Sequence, residues 1–188
     1  MALSQLLPFN ENRFDACMAY LAKKHQRLLT KYDMVKLHVM TDIFHVVEQG
    51  KPVIGGSISA WTFGPVVEKA FNRLTWWEKR YIESGAEPES FRFADGEGRY
   101  PEFDAKLDVD EQEFSKTELD AMEAAWMCVM SKNWKESQEY FHSTRNFIGR
   151  AWNNAQKQVR DLDWEEIVAN FEEENGLTHP AVKTLMRF

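Results

Sequence analysis

The sequence predicts a mainly α fold of the α+β class: a compact helical domain with a small antiparallel β-hairpin or sheet. Three observations predict it. Apolar residues recur at helical spacing along most of the chain, with the widest apolar arc between about Asp33 and Gln49. The stretch from Lys51 to Phe63 breaks that period and reads as two short strands joined through Gly55-Gly56. Helix-start chemistry returns at Ser115 and Glu118, which form a capping box flanked by Phe114 and Leu119 as a hydrophobic staple.

The first helix is expected from about Asn12 to Arg27, with Phe14, Met18, Leu21 and Ala22 on its apolar side. Lys23, Lys24 and Arg27 crowd its last turns, where cations complement the negative helix end. In the second helix Leu37, Met40, Phe44 and Val47 share one side, and Val39, Ile43 and Val46 widen it towards half the circumference. That helix belongs at the centre of the core, and Gly50 is a natural stop for it. After the two strands, Gly64-Pro65 reads as the opening of a third helix, because proline suits the first helical position. Val67, Ala70, Leu74, Trp77 and Tyr81 mark its buried stripe.

From Glu83 to Glu113 the period weakens and acids predominate, which reads as a loop-rich insertion. Within it Asp95-Gly96-Glu97-Gly98 is a turn between strands Phe91–Phe93 and Arg99–Phe103. Beyond Ser115, Leu119, Met122, Trp126 and Val129 define a helix, Asn133 caps a shorter one to His142, and another covers Phe147 to Val159. A last acidic segment begins near Asp163. The domain reading is one unit over residues 1–160, with the insertion near 83–113, followed by an acidic helical extension over 161–188.

A chain of 188 residues, 44% hydrophobic and 13% aromatic, is long enough for one well-filled core. Its net charge of −7 disfavours a protein that coats nucleic acid or an anionic membrane, since phosphate affinity accumulates from Lys and Arg. Cys17 and Cys128 are far apart and form no C-x-x-C pair, so neither a disulfide framework nor a zinc knuckle is expected. Met1 to Pro8 is too short and interrupted for a signal peptide, and no apolar run approaches the roughly 18 residues of a membrane span. A soluble cytoplasmic protein without cofactor is the expectation.

Catalytic chemistry is thinly represented. His38, Asp42 and His45 fall at i, i+4 and i+7, one helix face that could offer three metal ligands, but the stronger reading is a solvated or partner-facing side of a core helix. Asp108, Asp110, Glu111 and Glu113 lack the glycine and terminal glutamate of a calcium loop. Gly50, Gly55, Gly56 and Gly64 match no phosphate loop, and no nucleophile elbow is present. Lys36 lies within the apolar arc of the second helix, where its long side chain either reaches water or pairs with a core carboxylate.

Aromatic residues are the more suggestive feature. Trp61, Phe63, Trp76 and Trp77 cluster around the hairpin and third helix; Trp77 belongs to the buried stripe, whereas Trp76, about 100° away, points elsewhere. Arg145, Arg150, Lys157 and Arg160 form a basic run that could meet phosphates or an acidic partner. They could equally face the acids between Asp161 and Glu174.

The chain resembles the Panacea, or SocA-like antitoxin, domain. The family's K-L-x(4)-D helix followed by G-x-P-I-x-G, an alanine and G-P-V is matched by Lys36, Leu37, Asp42, Gly50, Pro52, Ile54, Gly55, Ala60, Gly64, Pro65 and Val66. F-S-K-T-E from Phe114, Tyr140-Phe141 and Trp152 match its second part, with Arg145 where a histidine is usual and Phe114 where leucine is. The resemblance implies a phage-associated antitoxin, no enzyme, that binds and neutralises a protein toxin encoded by an adjacent gene. In the SocA branch it further implies an adaptor that delivers the toxin to a Clp-type protease. The expected partner surface is Trp61, Phe63, Gly64, Pro65 and Trp76. The alternatives are a winged-helix-like DNA-binding regulator using the basic run, a metal-dependent enzyme at His38, Asp42 and His45, and a phage protein with another host-interaction role.

Overall fold

The structure, a computed structural model, describes residues 8–94 and 101–176. Helix α1 (Glu11–Lys24) starts where the Asn10 side chain accepts the Arg13 N–H at 3.0 Å. Its residues Phe14 to Ala22 are buried without a break, so the helix is surrounded on all sides rather than lying with one face in solvent. The one acid in that run, Asp15, is held by Arg73 at 2.6 and 3.2 Å and by the Ser90 hydroxyl at 2.6 Å. A buried carboxylate persists when its lone pairs are so occupied.

Helix α2 (Lys31–Gln49) begins with a capping box of Thr30 and Asp33 and ends at Gly50, which takes the left-handed conformation at φ 73°. It packs chiefly against α4 (Lys116–Met130), and also touches α1, α3 (Glu68–Ser84) and α7 (Trp164–Asn175). Leu37, Val39, Met40, Ile43, Val46 and Val47 are buried as the periodicity predicts. Phe44 is half-buried and meets Phe171 of α7 edge-on at 6.3 Å.

Strands β1 (Ile58–Trp61) and β2 (Gly64–Val67) pair antiparallel, with Ala60 opposite Pro65 and Trp61 opposite Gly64. Two expectations fail here. The hairpin turns at Thr62-Phe63, not at Gly55-Gly56, and Gly64-Pro65 lies in β2 while α3 starts at Glu68. The reason is a side chain: the amides of Val53, Ile54 and Gly55 all bond to Asp42, so that segment has no donors left for a strand partner. Pro65 is tolerated because a two-stranded sheet leaves each strand an edge.

A second hairpin, β3 (Phe91–Ala94) with β4 (Glu102–Ala105), sits against α1, and Leu29 bridges to Phe103. The predicted turn Asp95–Gly98 lies outside the described residues. The Ser115 and Glu118 capping box opens α4, and Asn133 with Glu136 does the same for α5 (Trp134–His142). Helix α6 (Phe147–Gln158) is capped by Asn146. Gly149 in its first turn touches the α5–α6 connection so closely that an added Cβ would lie 2.0 Å from the Ser143 carbonyl oxygen. Helix α7 packs on α6 and α2, burying Trp164, Ile167 and Val168. Among the described residues no helix is long and apolar enough to cross a membrane.

Candidate functional site: an aromatic groove over a buried lysine

Helix α2 carries two buried polar groupings. The first is a clamp on the loop that follows the helix. Asp42 Oδ1 accepts the N–H of Val53 at 2.9 Å and of Ile54 at 2.7 Å, and Oδ2 accepts that of Gly55 at 2.8 Å. His38 places Nε2 3.1 Å from the Gly55 carbonyl oxygen and 3.2 Å from Asp42 Oδ2, so one proton there serves two acceptors. His45 donates from Nδ1 to the Lys51 carbonyl at 2.7 Å, which leaves Nε2 to accept from Thr117 at 3.3 Å.

These three residues were expected on a solvated or partner-facing side. They are buried instead, at 0, 1 and 1% exposure. The hydropathy pattern misleads because the loop folds back over the polar face and satisfies it with backbone groups. Their partners diverge, with His45 reaching towards α4, and among the described residues no three His, Cys, Asp or Glu side chains could hold a metal ion.

The second grouping opens to the surface. A groove of about 940 Å³ runs between the N-terminal end of α2, the β1–β2 turn, α3 and the start of α5. One wall is Tyr32, Trp134 and Phe63, with ring centroids 4.4 and 5.9 Å apart along the series. The other is Trp61 against Phe71, edge-on at 4.9 Å. Phe63, Trp134 and Trp61 remain 58, 51 and 37% exposed, so large apolar surface is presented to solvent. Two side chains of α6 hold the turn that supplies Trp61: Trp152 Nε1–H donates to the Trp61 carbonyl at 2.9 Å, and Gln156 donates to that of Ala60.

Lys36 lies at the floor of this groove. It is 2% exposed and donates from Nζ to the Pro65 carbonyl at 2.7 Å, with the rings of Phe141 and Tyr32 at 4.9 and 5.2 Å. It therefore neither reaches water nor meets a carboxylate, the two arrangements expected from sequence. Burial pushes its pKa down from 10.5 to about 7. His142, stacked on Trp152 at 4.2 Å, is lowered by its own burial and further by the Lys36 charge. At the rim, Lys31 pairs with Glu78 and sits over the Phe71 ring.

Of the residues expected at a partner surface, Trp61, Phe63 and Gly64 line the groove. Pro65 is buried beneath it and contributes its carbonyl to Lys36. Trp76 is half exposed on α3, against Trp77 and under the Arg80 guanidinium. The basic run divides. Arg150 donates to the Asn170 carbonyl at 2.8 Å and approaches Glu173 and Glu174, and Arg160 pairs with Glu166 at 2.7 Å, whereas Arg145 and Lys157 are exposed. Tyr32, Phe71 and Trp134 were not singled out from the sequence. Trp134, directly after the Asn133 cap, carried the only available signal, a large aromatic in the first turn of a short helix.

The model of the family described as antitoxin SocA-like, Panacea domain, matches residues 34–146, and the chain belongs to that family. Comparison with curated proteins and with solved structures gives no match. The matched residues contain both polar groupings of α2, the whole β1–β2 hairpin and Trp134.

Proposed function

We propose that the protein is an antitoxin that neutralises a cognate protein toxin by stoichiometric binding, with the aromatic groove as the contact surface. The observation that carries this reading is the exposed set Trp61, Phe63 and Trp134 around one concave site, in a chain of an antitoxin family. Exposed aromatics bury much area at small rotamer cost and dominate protein–protein binding energy. The capped helices and the Asp42 clamp hold those rings on a fixed frame, so little ordering cost remains for the moment of binding. The finer elements of the proposal are a toxin encoded next to this gene and delivery to a Clp-type protease in the manner of the SocA branch. The unit that acts is residues 1–160, with residues 161–188 as an acidic extension whose α7 lies against it.

The DNA-binding alternative loses support from the pairing of Arg150 and Arg160 with groups of the α7 segment, since those cations are already engaged. Co-expression with the product of the adjacent reading frame tests the main reading. The expected outcome is rescue of growth, co-purification, and loss of both on Trp134→Ala. A neighbouring product that is harmless alone and does not co-purify would remove the basis of the antitoxin reading.

A further inference from the structure

We propose that the groove is completed by an acidic side chain of the toxin: a segment that lays apolar residues on Trp61, Phe63 and Trp134 carries a Glu or Asp whose carboxylate docks on Lys36. This rests on the antitoxin reading and specifies what it recognises. An ammonium has three N–H donors. The described contacts give Lys36 one acceptor, the Pro65 carbonyl, and otherwise aromatic faces. No ion pair joins it to a carboxylate among the described residues.

The other charged groups around the groove do not supply that partner. Glu78 is engaged by Lys31, which neutralises the pair at the rim, and Glu102, the other carboxylate on the lining, is not ion-paired with Lys36 among the described contacts. Tyr32 on the same helix has its hydroxyl 3.1 Å from that of Ser137, and burial raises its pKa, so it stays uncharged. His142 is held towards its neutral form. Lys36 is therefore an amine at the floor of an apolar site with no carboxylate paired to it among the described contacts.

Space and selectivity both favour a carboxylate there. Lys36 itself lines the groove, and Gly64 places no side chain between β2 and the amine, where a Cβ would crowd Lys36 Nζ and Phe141 Cβ at 3.0 Å each, so the approach to the amine is from the groove side. A purely apolar occupant would leave the buried amine as unpaired as before, so only a segment that brings a carboxylate gains the pairing, which discriminates against non-specific hydrophobic segments. Long-range attraction plays little part, because a chain of net charge −7 does not draw in acidic partners from a distance. The contact acts at short range and sets register. Because the free amine is half neutral near pH 7, forming the pair takes up a proton.

The test uses the full chain labelled with 13C and 15N and the product of the adjacent reading frame, with the Lys36 ammonium signal assigned through its own backbone resonances in the wild-type protein. In the free protein Lys36 is expected to titrate near neutrality; in the complex it stays an ammonium beyond pH 9, and K36M binds at least about 30-fold more weakly. The wild-type titration decides the matter even if K36M does not fold. A complex that forms while the Lys36 titration is unmoved overturns this inference and leaves the antitoxin reading standing. Absence of both complex and growth rescue overturns both. If 4-phenylbutyrate raises the Lys36 titration and the toxin does not, the groove is a small-molecule carboxylate site and the inference is wrong.

Discussion

Two buried polar groupings on one helix differ in whether the charged group at the centre of each finds its partners within the chain. Around Asp42 three amides converge on one carboxylate and His38 closes the set, so the loop from Gly50 to Ser57 has one place to lie. Around Lys36, six residues earlier, a cation has one carbonyl and two ring faces. In the first arrangement the Asp42 carboxylate has all its partners within the chain, with only His38 Nδ1 left unbonded, and it serves the scaffold. The second is unfinished and lies under an open aromatic groove. Buried polar groups that are fully bonded specify a fold, whereas a charged one with spare donors is costly unless something else supplies its partner.

The contrast is broken most severely by Asp42→Ala. It strands three N–H groups inside the protein, and each orphan costs about 1–3 kcal/mol, so a loss on the order of 3–5 kcal/mol in urea unfolding is expected. A loss under about 1 kcal/mol would mean that the clamp is not what holds the loop. Lys36→Met should behave in the opposite sense at neutral pH. The folded pKa of about 7 lies below the unfolded 10.5, so the unfolded chain binds the proton more tightly between those values. The Lys36 penalty is therefore complete below pH 7 and is relieved as pH rises through 7 towards 10, by up to about 1.4 kcal/mol per pH unit. The stability of K36M relative to wild type is expected to shrink over that window. A difference that does not vary with pH would show that Lys36 stays charged in the fold.

The smallest effect on stability belongs to the groove wall. Phe63→Ser removes a ring that is 58% exposed, and the urea midpoint should shift by no more than about 0.5 kcal/mol equivalent. Toxin affinity should nevertheless fall by about 2 kcal/mol or more, as for a central aromatic of an interface. Stability loss without affinity loss would place Phe63 with the scaffold.

Much of the scaffold was legible in the sequence because local chemistry decides it. The Ser115 and Glu118 box, the Asn133 cap and the Gly50 stop each depend on residues within one turn. The strands were misplaced because their register depends on Asp42, a residue 11 to 13 positions from the amides it binds. The same non-local contact turned the expected exposed face of α2 into a buried one. The groove was half legible: Trp61 and Phe63 stand out beside the hairpin, but Trp134 joins them only through the docking of α5, which no spacing encodes. Lys36 was noticed as an anomaly in an apolar arc, while the nature of its surroundings required the carbonyl of Pro65 and the ring of Phe141.

The bonds from Trp152 and Gln156 to the β1–β2 turn bear on how such a protein can be cut and recombined. Both donors lie beyond residue 146, where the family match ends, and α1, whose nine consecutive buried residues lie inside the core, precedes residue 34, where it begins. A graft of residues 34–146 onto another protein would carry the signature and leave the turn untethered and the core open. The smallest transferable piece should start ahead of Glu11 and run through α7 to Asn175, so that the recognition surface travels with the helix that holds its rim and with the core residues Leu162, Trp164, Ile167 and Val168.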